Sequence, residues 1–294
     1  MTSHLEQANK NISEILNLKK ELDCFNPLKE WDEHFKEKIK KELTYHSNKI
    51  EGNKLSYGET IALIESNIFP KDKSIKDILE IKNHYSILTI IFENINFPIN
   101  ETSIKNLHKE LMNDSRQWDY ESFFWPGKYK FRENYTLRPN GEYFKFADPK
   151  DVPKLMSNLI DKVQTVSSLN EKLIIENHPL YRSALFHGKF TEIHPFEDGN
   201  GRVARLISNI ILMKEGYPPF VVKEQQREKY LNSLYMSTDQ NDILPLFNFF
   251  SDCLQFSMIQ KIEYFKIEVK KLNDSIEKKM EEDKNIDHSK DISM

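Results

Sequence analysis

One run of twelve residues constrains this chain of 294 residues more than any other: His194-Pro195-Phe196-Glu197-Asp198-Gly199-Asn200-Gly201-Arg202-Val203-Ala204-Arg205. Directly behind it, Val203, Leu206, Ile207, Ile210 and Ile211 recur at intervals of three and four. That period predicts a buried helix starting near Gly201 and stopping before Gly216-Tyr217-Pro218-Pro219. The turn bracketed by glycines then falls at a helix N-terminus. The first-turn amides of a helix lack internal partners and carry the positive end of its dipole, which favours phosphate oxygens. Glycine at 199 and 201 lets the backbone bend into a nest that an anion can approach without meeting a Cβ.

The side chains around that turn suit the same chemistry. Arg202 and Arg205 lie three residues apart on one helix face and can hold successive phosphates as forked donors. Asp198 is a hard oxygen ligand at the mouth of the nest, fitted to Mg²⁺ carried by a nucleotide. His194 can exchange a proton near neutral pH. Taken singly, a Gly-x-Gly turn is usually only a turn, and a histidine before proline only a loop residue. Together they match, at every fixed position, H-P-F-x-D/E-G-N-G-R-x-x-R, and the chain resembles the Fic domain family that carries this signature.

The resemblance implies a mainly α fold, a helical bundle with one β-hairpin flap beside the active-site loop. It implies a protein adenylyltransferase that moves AMP from ATP to a serine, threonine or tyrosine hydroxyl of a target protein. In that reading His194 is the general base. Gly199, Asn200, Gly201, Arg202 and Arg205 hold the nucleotide, Asp198 binds Mg²⁺, and Tyr230 stands where relatives have an aromatic near the adenine. Phe196 packs beneath the loop, Glu197 faces solvent, Asn200 braces the nest or meets a phosphate, and His187 packs against or bonds to the loop. Two alternatives stay open: an enzyme that also or mainly removes AMP, and a catalytically silent nucleotide-binding module.

A second stretch, Ser47-Asn48-Lys49-Ile50-Glu51-Gly52-Asn53, puts Ser47 and Glu51 on one helix face with Gly52 as a natural stop. Ser56 and Glu59 form a capping box for the next helix. The segment is similar to the inhibitory motif S/T-x-x-x-E-G/N of one class of Fic proteins. That similarity implies that Glu51, assisted by Ser47, pairs with Arg205 and displaces the γ-phosphate of ATP.

The rest of the chain reads as helices, with a break at Asn26-Pro27. Three are expected between residues 56 and 115, the last capped by Asn100 or Thr102; His84 and His108 on them read as structural. Another begins at Asp148-Pro149, one runs from about Glu171 to Phe190, and two more run from Glu224 to Tyr235 and from Ile243 to about Ile262. Between Trp125 and Ala147, alternating aromatic and polar residues flank Pro139-Asn140-Gly141, a hairpin signal. The segment resembles the Fic flap, with Lys130 where the family often has an arginine and Arg132 following. The expected division is an N-terminal helical extension at 1–44, a Fic core at 45–255 and a charged helical or disordered tail at 256–294. The core holds the inhibitory helix at 45–53, the flap at 127–147 and the catalytic loop at 194–205.

A net charge of −4 and a pI near 6.2 leave no footprint for general nucleic-acid binding. The apolar stretches are too short to span a bilayer and Met1 to Glu6 do not read as a signal peptide, so no membrane association and a cytoplasmic setting are expected. Cys24 and Cys253 lack companions at metal-ligand spacing. Family analogy adds a homodimer, and tyrosines near the core make self-modification an expected side activity.

Overall fold

A computed structural model describes residues 2–25, 32–113, 125–138, 141–164 and 174–291. The helices run in the order α1 (Thr2–Phe25), α2 (Glu33–Ile50), α3 (Tyr57–Ser66), α4 (Ile75–Glu93) and α5 (Glu101–Leu111). A hairpin of β1 (Tyr135–Leu137) and β2 (Tyr143–Lys145) follows. Then come α6 (Val152–Gln164), α7 (Ile174–Asn177), α8 (Pro179–Ile193), α9 (Asn200–Lys214), α10 (Arg227–Asp239) and α11 (Leu244–Asp291). The expected class, mainly helical with one hairpin, is the observed one. The break at Asn26-Pro27, the hairpin residues Pro139-Asn140 and the helix start at Glu171 lie outside the described residues.

Local chemistry explains the boundaries. Ser56 and Glu59 cap α3 reciprocally: Glu59 N–H donates to Ser56 Oγ at 3.3 Å and Ser56 N–H to Glu59 Oε2 at 2.8 Å. Asn100, not Thr102, caps α5, accepting from Ser103 N–H at 2.8 Å. The helix expected at Asp148-Pro149 starts later, at Val152. Asp148 is drawn instead to Lys145 at 2.7 Å, and the first helical bond, Leu155 N–H to Asp151 O, is 3.0 Å. The helix expected to reach Phe190 unbroken is divided at His178-Pro179. Pro179 opens α8, having no N–H to lose, and the His178 ring accepts from Leu180 N–H at 3.1 Å. A 3₁₀ turn at Glu224–Gln226 precedes α10, and α11 continues well past Ile262 to Asp291.

The flap strands are shorter than the span 127–147 suggests. They pair antiparallel in the register Tyr135 with Lys145, Thr136 with Phe144 and Leu137 with Tyr143. Beyond β1 one further bond crosses the hairpin, Phe146 N–H to Asn134 O at 3.2 Å, and Lys130 turns away to donate its N–H to Pro195 O at 2.8 Å.

At the centre lies α9, on which thirteen of fifteen residues are buried. Val203, Ala204, Ile207 and Ile211 meet Phe186 and Phe190 of α8, Leu107 of α5 and Met156 of α6 in one cluster. On its other side Leu212 joins Phe220, Leu246, Phe250 and Ile15 in a second. Full burial of side chains of this size stabilises by roughly 1.5–3 kcal/mol each. A helix enclosed on all sides must also satisfy its polar residues. Asn209 does so by a two-way bond to Phe220, accepting its N–H at 2.9 Å and donating to its carbonyl at 3.1 Å. The start of α9 is thus packed into the core.

Four histidines are enclosed in this core. Burial pushes His84 and His187 down to about 3, and His108 and His178 down to about 4. The unfolded chain takes up these protons from about pH 6.5 downward, whereas the folded chain excludes them until far lower. Folding free energy should therefore fall by roughly 1 kcal/mol per buried histidine between pH 7.5 and pH 5.5. Urea unfolding followed by circular dichroism at the two pH values would give a lower midpoint at pH 5.5; equal midpoints would contradict the burial of these rings.

Candidate active site

The loop between α8 and α9 is built on its one large apolar residue. Phe196 is fully buried and stacks on the His108 ring at 3.8 Å. His108 in turn fixes the loop: its Nε2–H donates to Asp198 O at 2.9 Å, while its Nδ1 accepts from Gly127 N–H at 2.8 Å. Asn200 clasps the Phe196 backbone from the other side, accepting its N–H at 2.9 Å and donating to its carbonyl at 2.8 Å. Asn200 is therefore a brace. Glu197, expected in solvent, is half-buried, and its Oε1 has no hydrogen-bond partner among the described residues.

His194 ends α8 in the left-handed region, φ 53° and ψ 61°. Its ring lies parallel to Phe146 of the flap at 3.8 Å. Nδ1 sits 3.3 Å from Thr191 O, and because a carbonyl only accepts, Nδ1 carries the proton and Nε2 the lone pair. Burial, aided by Lys130 and opposed by Glu51 and Asp198, pushes the ring down to about 4. At neutral pH it is a free base.

Gly199 caps α9 with φ 77°, and no side chain caps the first turn. A Cβ at Gly199 would stand 2.8 Å from Met112 Sδ, and one at Gly201 would stand 2.3 Å from Glu51 Oε1. The second distance locates Glu51: its carboxylate lies on the first turn of α9. It is carried there by the end of α2, where Gly52 at φ 95° and Asn53 donate to Lys49 O at 3.0 Å and Asn48 O at 3.1 Å, the bond pair of a Schellman motif.

Glu51 Oε1 accepts from Arg205 Nη2 at 2.7 Å. The remaining guanidinium donors are also used. Nε reaches Ser47 Oγ at 3.0 Å, Nη2 also reaches Ser47 O at 2.9 Å, and Nη1 reaches Tyr230 OH at 3.5 Å. Burial works against the Arg205 charge, but Glu51 and Tyr230 outweigh it and hold its pKa above the ordinary value. Tyr230 OH, accepting from Arg205, donates onward to His187 Nε2 at 3.0 Å, so His187 is tied to Tyr230 rather than to the loop.

Arg202 has different surroundings. Only 1% exposed, it pairs with Glu80 of α4 at 3.1 Å and lies 3.9 Å from Asp198 and 3.4 Å from Asn48 Oδ1. Glu80 is itself held by Asn53 Nδ2 at 3.0 Å. Neither Glu80 nor Asn53 was singled out from the sequence. The available signal was Glu80's position, on the inner stripe of α4 with Ile81, His84, Ile87, Leu88 and Ile91, where an acid demands a buried partner.

A cavity of about 240 Å³ brings together His194, Gly201, Glu51 and Tyr230 with Phe144 and Phe146 of the flap and Leu231 and Tyr235 of α10. The hairpin closes one side of it. Arg138, after β1, pairs with Asp239 of α10 and lies 4.2 Å from the Phe144 ring. Ser47 and Arg205 stand behind Glu51, and Asp198, Asn200 and Arg202 flank the loop without lining this cavity. The uncapped first turn and the Cβ-free approach at Gly201, where an anionic oxygen already sits, fit a nucleotide phosphate, whereas Gly199 packs on Met112 and gives its N–H to Asp198 Oδ1 at 2.6 Å. Among the described residues no group of three or more His, Cys, Asp or Glu could cage a metal ion. The single carboxylate of Asp198, 30% exposed, fits an ion that arrives on a nucleotide.

Fold and loop together define a helical protein with an anion nest and a histidine base under a hairpin. The Fic/DOC family profile matches residues 98–212. A solved Fic domain containing signaling protein from Bacteroides thetaiotaomicron is 32% identical, with TM-score 0.73, and the match covers 86% of this chain and 97% of that one. The chain belongs to the Fic/DOC family. The protein adenylyltransferase Fic of Aedes aegypti is 30% identical over 214 residues, which are 72% of this chain and 39% of that protein. The chain thus spans about two-fifths of the length of such curated relatives. Fic-1 of C. elegans, 22% identical with TM-score 0.70 over 88% of this chain, shares the fold. Among the described residues no helix is long and apolar enough to cross a membrane.

Removing Glu80 would strand the buried Arg202 charge, since Asp198 is 3.9 Å away. Glu80→Ala should cost about 3–5 kcal/mol of folding stability, and Glu80→Gln, which keeps an acceptor, less. Thermal and urea unfolding measure both, and an unaffected Glu80→Ala protein would contradict a buried pair.

Proposed function

We propose that this chain is a protein adenylyltransferase held in check by its own Glu51. The observation that carries the reading is the Glu51 carboxylate, which lies over Gly201 in the cavity that His194 also lines and is held from behind by Arg205 at 2.7 Å. The name that the curated relatives share, protein adenylyltransferase Fic, supports it.

In this reading ATP is the substrate, and its phosphates lie along the amides of Gly199 to Gly201. Arg205 is the cation for the last phosphate, and Arg202, beneath the loop, supports the nest with its charge. Tyr230 and the apolar α10 side of the cavity hold the base. Magnesium, brought with the nucleotide and bound at Asp198, would neutralise phosphate charge. The Nε2 lone pair of His194 takes the proton from a serine, threonine or tyrosine hydroxyl of a target protein. The hydroxyl oxygen bonds to the α-phosphorus, and the bond to the bridging oxygen breaks, releasing pyrophosphate. Donors fixed before reaction stabilise the charge that develops.

Glu51 opposes this by standing where an anion must go. While it holds Arg205, the last phosphate is displaced and the α-phosphorus is misaligned with His194. Because Glu51 shares the cavity with His194, it could also orient a water for removal of AMP from a modified protein. Labelled-ATP transfer in lysate, with AMP release measured in parallel from an already AMP-modified protein incubated with Mg²⁺ or Ca²⁺, separates the two. Glu51→Gly should raise transfer by about 10- to 100-fold over wild type, as expected when an obstructed geometry is restored, and His194→Ala should abolish it in either background. Equal transfer by wild type and Glu51→Gly would defeat the autoinhibition, and release of AMP without transfer would favour the reverse activity.

A further inference from the structure

The segment entering the flap grips the backbone on both sides of His194. Lys130 is 3% exposed. Its N–H donates to Pro195 O at 2.8 Å and its Nζ to Ile193 O at 3.2 Å. Nζ also donates to Asn134 Oδ1 at 2.6 Å, and Asn134 Nδ2 reaches Phe196 O at 3.5 Å. The carbonyls of residues 193, 195 and 196 are therefore all anchored to residues 130 and 134, and the one residue they enclose is His194.

That residue needs anchoring. At φ 53° it adopts a left-handed conformation, which side chains bearing a Cβ disfavour and which persists only where the surroundings dictate it. Lysine is an expensive choice for the anchor. Burial pulls its amine down to about 8, against the attraction of Glu197 and Asp148, with Lys145 adding repulsion. A buried ammonium whose hydrogen bonds go to a carbonyl and an amide oxygen, with no carboxylate in contact, contributes little stability for its desolvation. What it supplies is a rigid tether beside the imidazole. Its Nζ also lies 5.7 Å from the Phe146 ring, the ring that stacks on His194.

We propose that Lys130 is a positioning residue for His194, its ammonium and its amide pinning the carbonyls of Ile193 and Pro195 so that the left-handed turn presents the imidazole to the cavity in one orientation. The catalytic part of this inference rests on the adenylyltransferase reading; the orientation of the ring does not.

The test uses the Glu51→Gly protein as parent, so that transfer is measurable, and adds Lys130→Met or Lys130→Arg. Two readouts are taken: kcat and KM for ATP in label transfer, and the ¹⁵N shifts of His194 at pH 7.5 in histidine-labelled protein. With Lys130→Met, kcat should fall by about 10- to 100-fold while KM for ATP stays within about twofold. The His194 shifts should move from a single tautomer, Nδ1–H, toward an average of both. Lys130→Arg, which restores a cationic donor, should recover most of kcat and the single tautomer. Should Lys130→Met fail to fold by circular dichroism, Lys130→Gln, which keeps a donor without charge, takes its place with the same expected directions. Parental kcat and unchanged His194 shifts in the Met or Gln protein would overturn the proposal, as would an arginine variant as impaired as methionine. If the parent shows no transfer at all, the enzymatic reading fails, and the tautomer still decides whether Lys130 sets the ring.

Discussion

The contact on which the rest depends is an anion of the chain itself resting on the start of its central helix. Glu51 Oε1 is 2.7 Å from Arg205 and lies over Gly201. Arg205 is 5% exposed, and its other partners, Ser47 and Tyr230, are neutral. A cation so enclosed needs a negative neighbour, because taking a lone charge out of water costs several kcal/mol. The carboxylate supplies that neighbour when no other anion is present. A phosphate arriving at the nest would meet the same requirement, so exchange of one for the other need not leave the guanidinium exposed to the full cost. On the proposed reading, carboxylate and phosphate are alternatives for one buried charge, so an inhibitory contact can coexist with a stable fold.

The two arginines of the loop divide the work. Three residues apart on α9, they point into different surroundings. Arg205 meets the end of α2 behind Glu51, and Arg202 is sealed between Glu80, Asp198 and Asn48. Glu80 is joined to Asn53, two residues beyond Glu51, so the end of α2 is fixed to α9 at two points by two separate ion pairs. Only one of them, Glu51 with Arg205, faces the cavity. The other lies outside it, and ties the segment after Gly52 to α4 through Asn53, which also donates to Asp77 O at 2.9 Å.

Where local chemistry decides structure, the sequence was legible. The three-and-four spacing from Val203 to Ile211 located α9 to within a residue, and Ser47, Glu51 and Gly52 placed a carboxylate at a defined helix end. Long-range needs were not legible. Glu80 lies on the inner stripe of α4, but nothing near it in sequence names Arg202 as its partner. Asp148 has the form of a helix cap, but Lys145 at 2.7 Å claims it. Pro179 announced a helix start, yet the apolar period runs through it and masked the division between α7 and α8. The resemblance puts Glu197 in solvent as a variable position, and its half-burial follows from tertiary packing that the motif does not encode.

Gly201 carries a consequence beyond its own turn. With hydrogen in place of a side chain, it leaves a gap that the Glu51 carboxylate fills beside Arg205 Nη1, and an added methyl carbon would stand 2.3 Å from the Glu51 oxygen. The vacancy does not discriminate: any negatively charged oxygen small enough to reach the first turn can use it, whether it comes from within or from outside. If Glu51 is the brake proposed above, brake and fuel enter by one door of fixed width, and a side chain at residue 201 would shut out both.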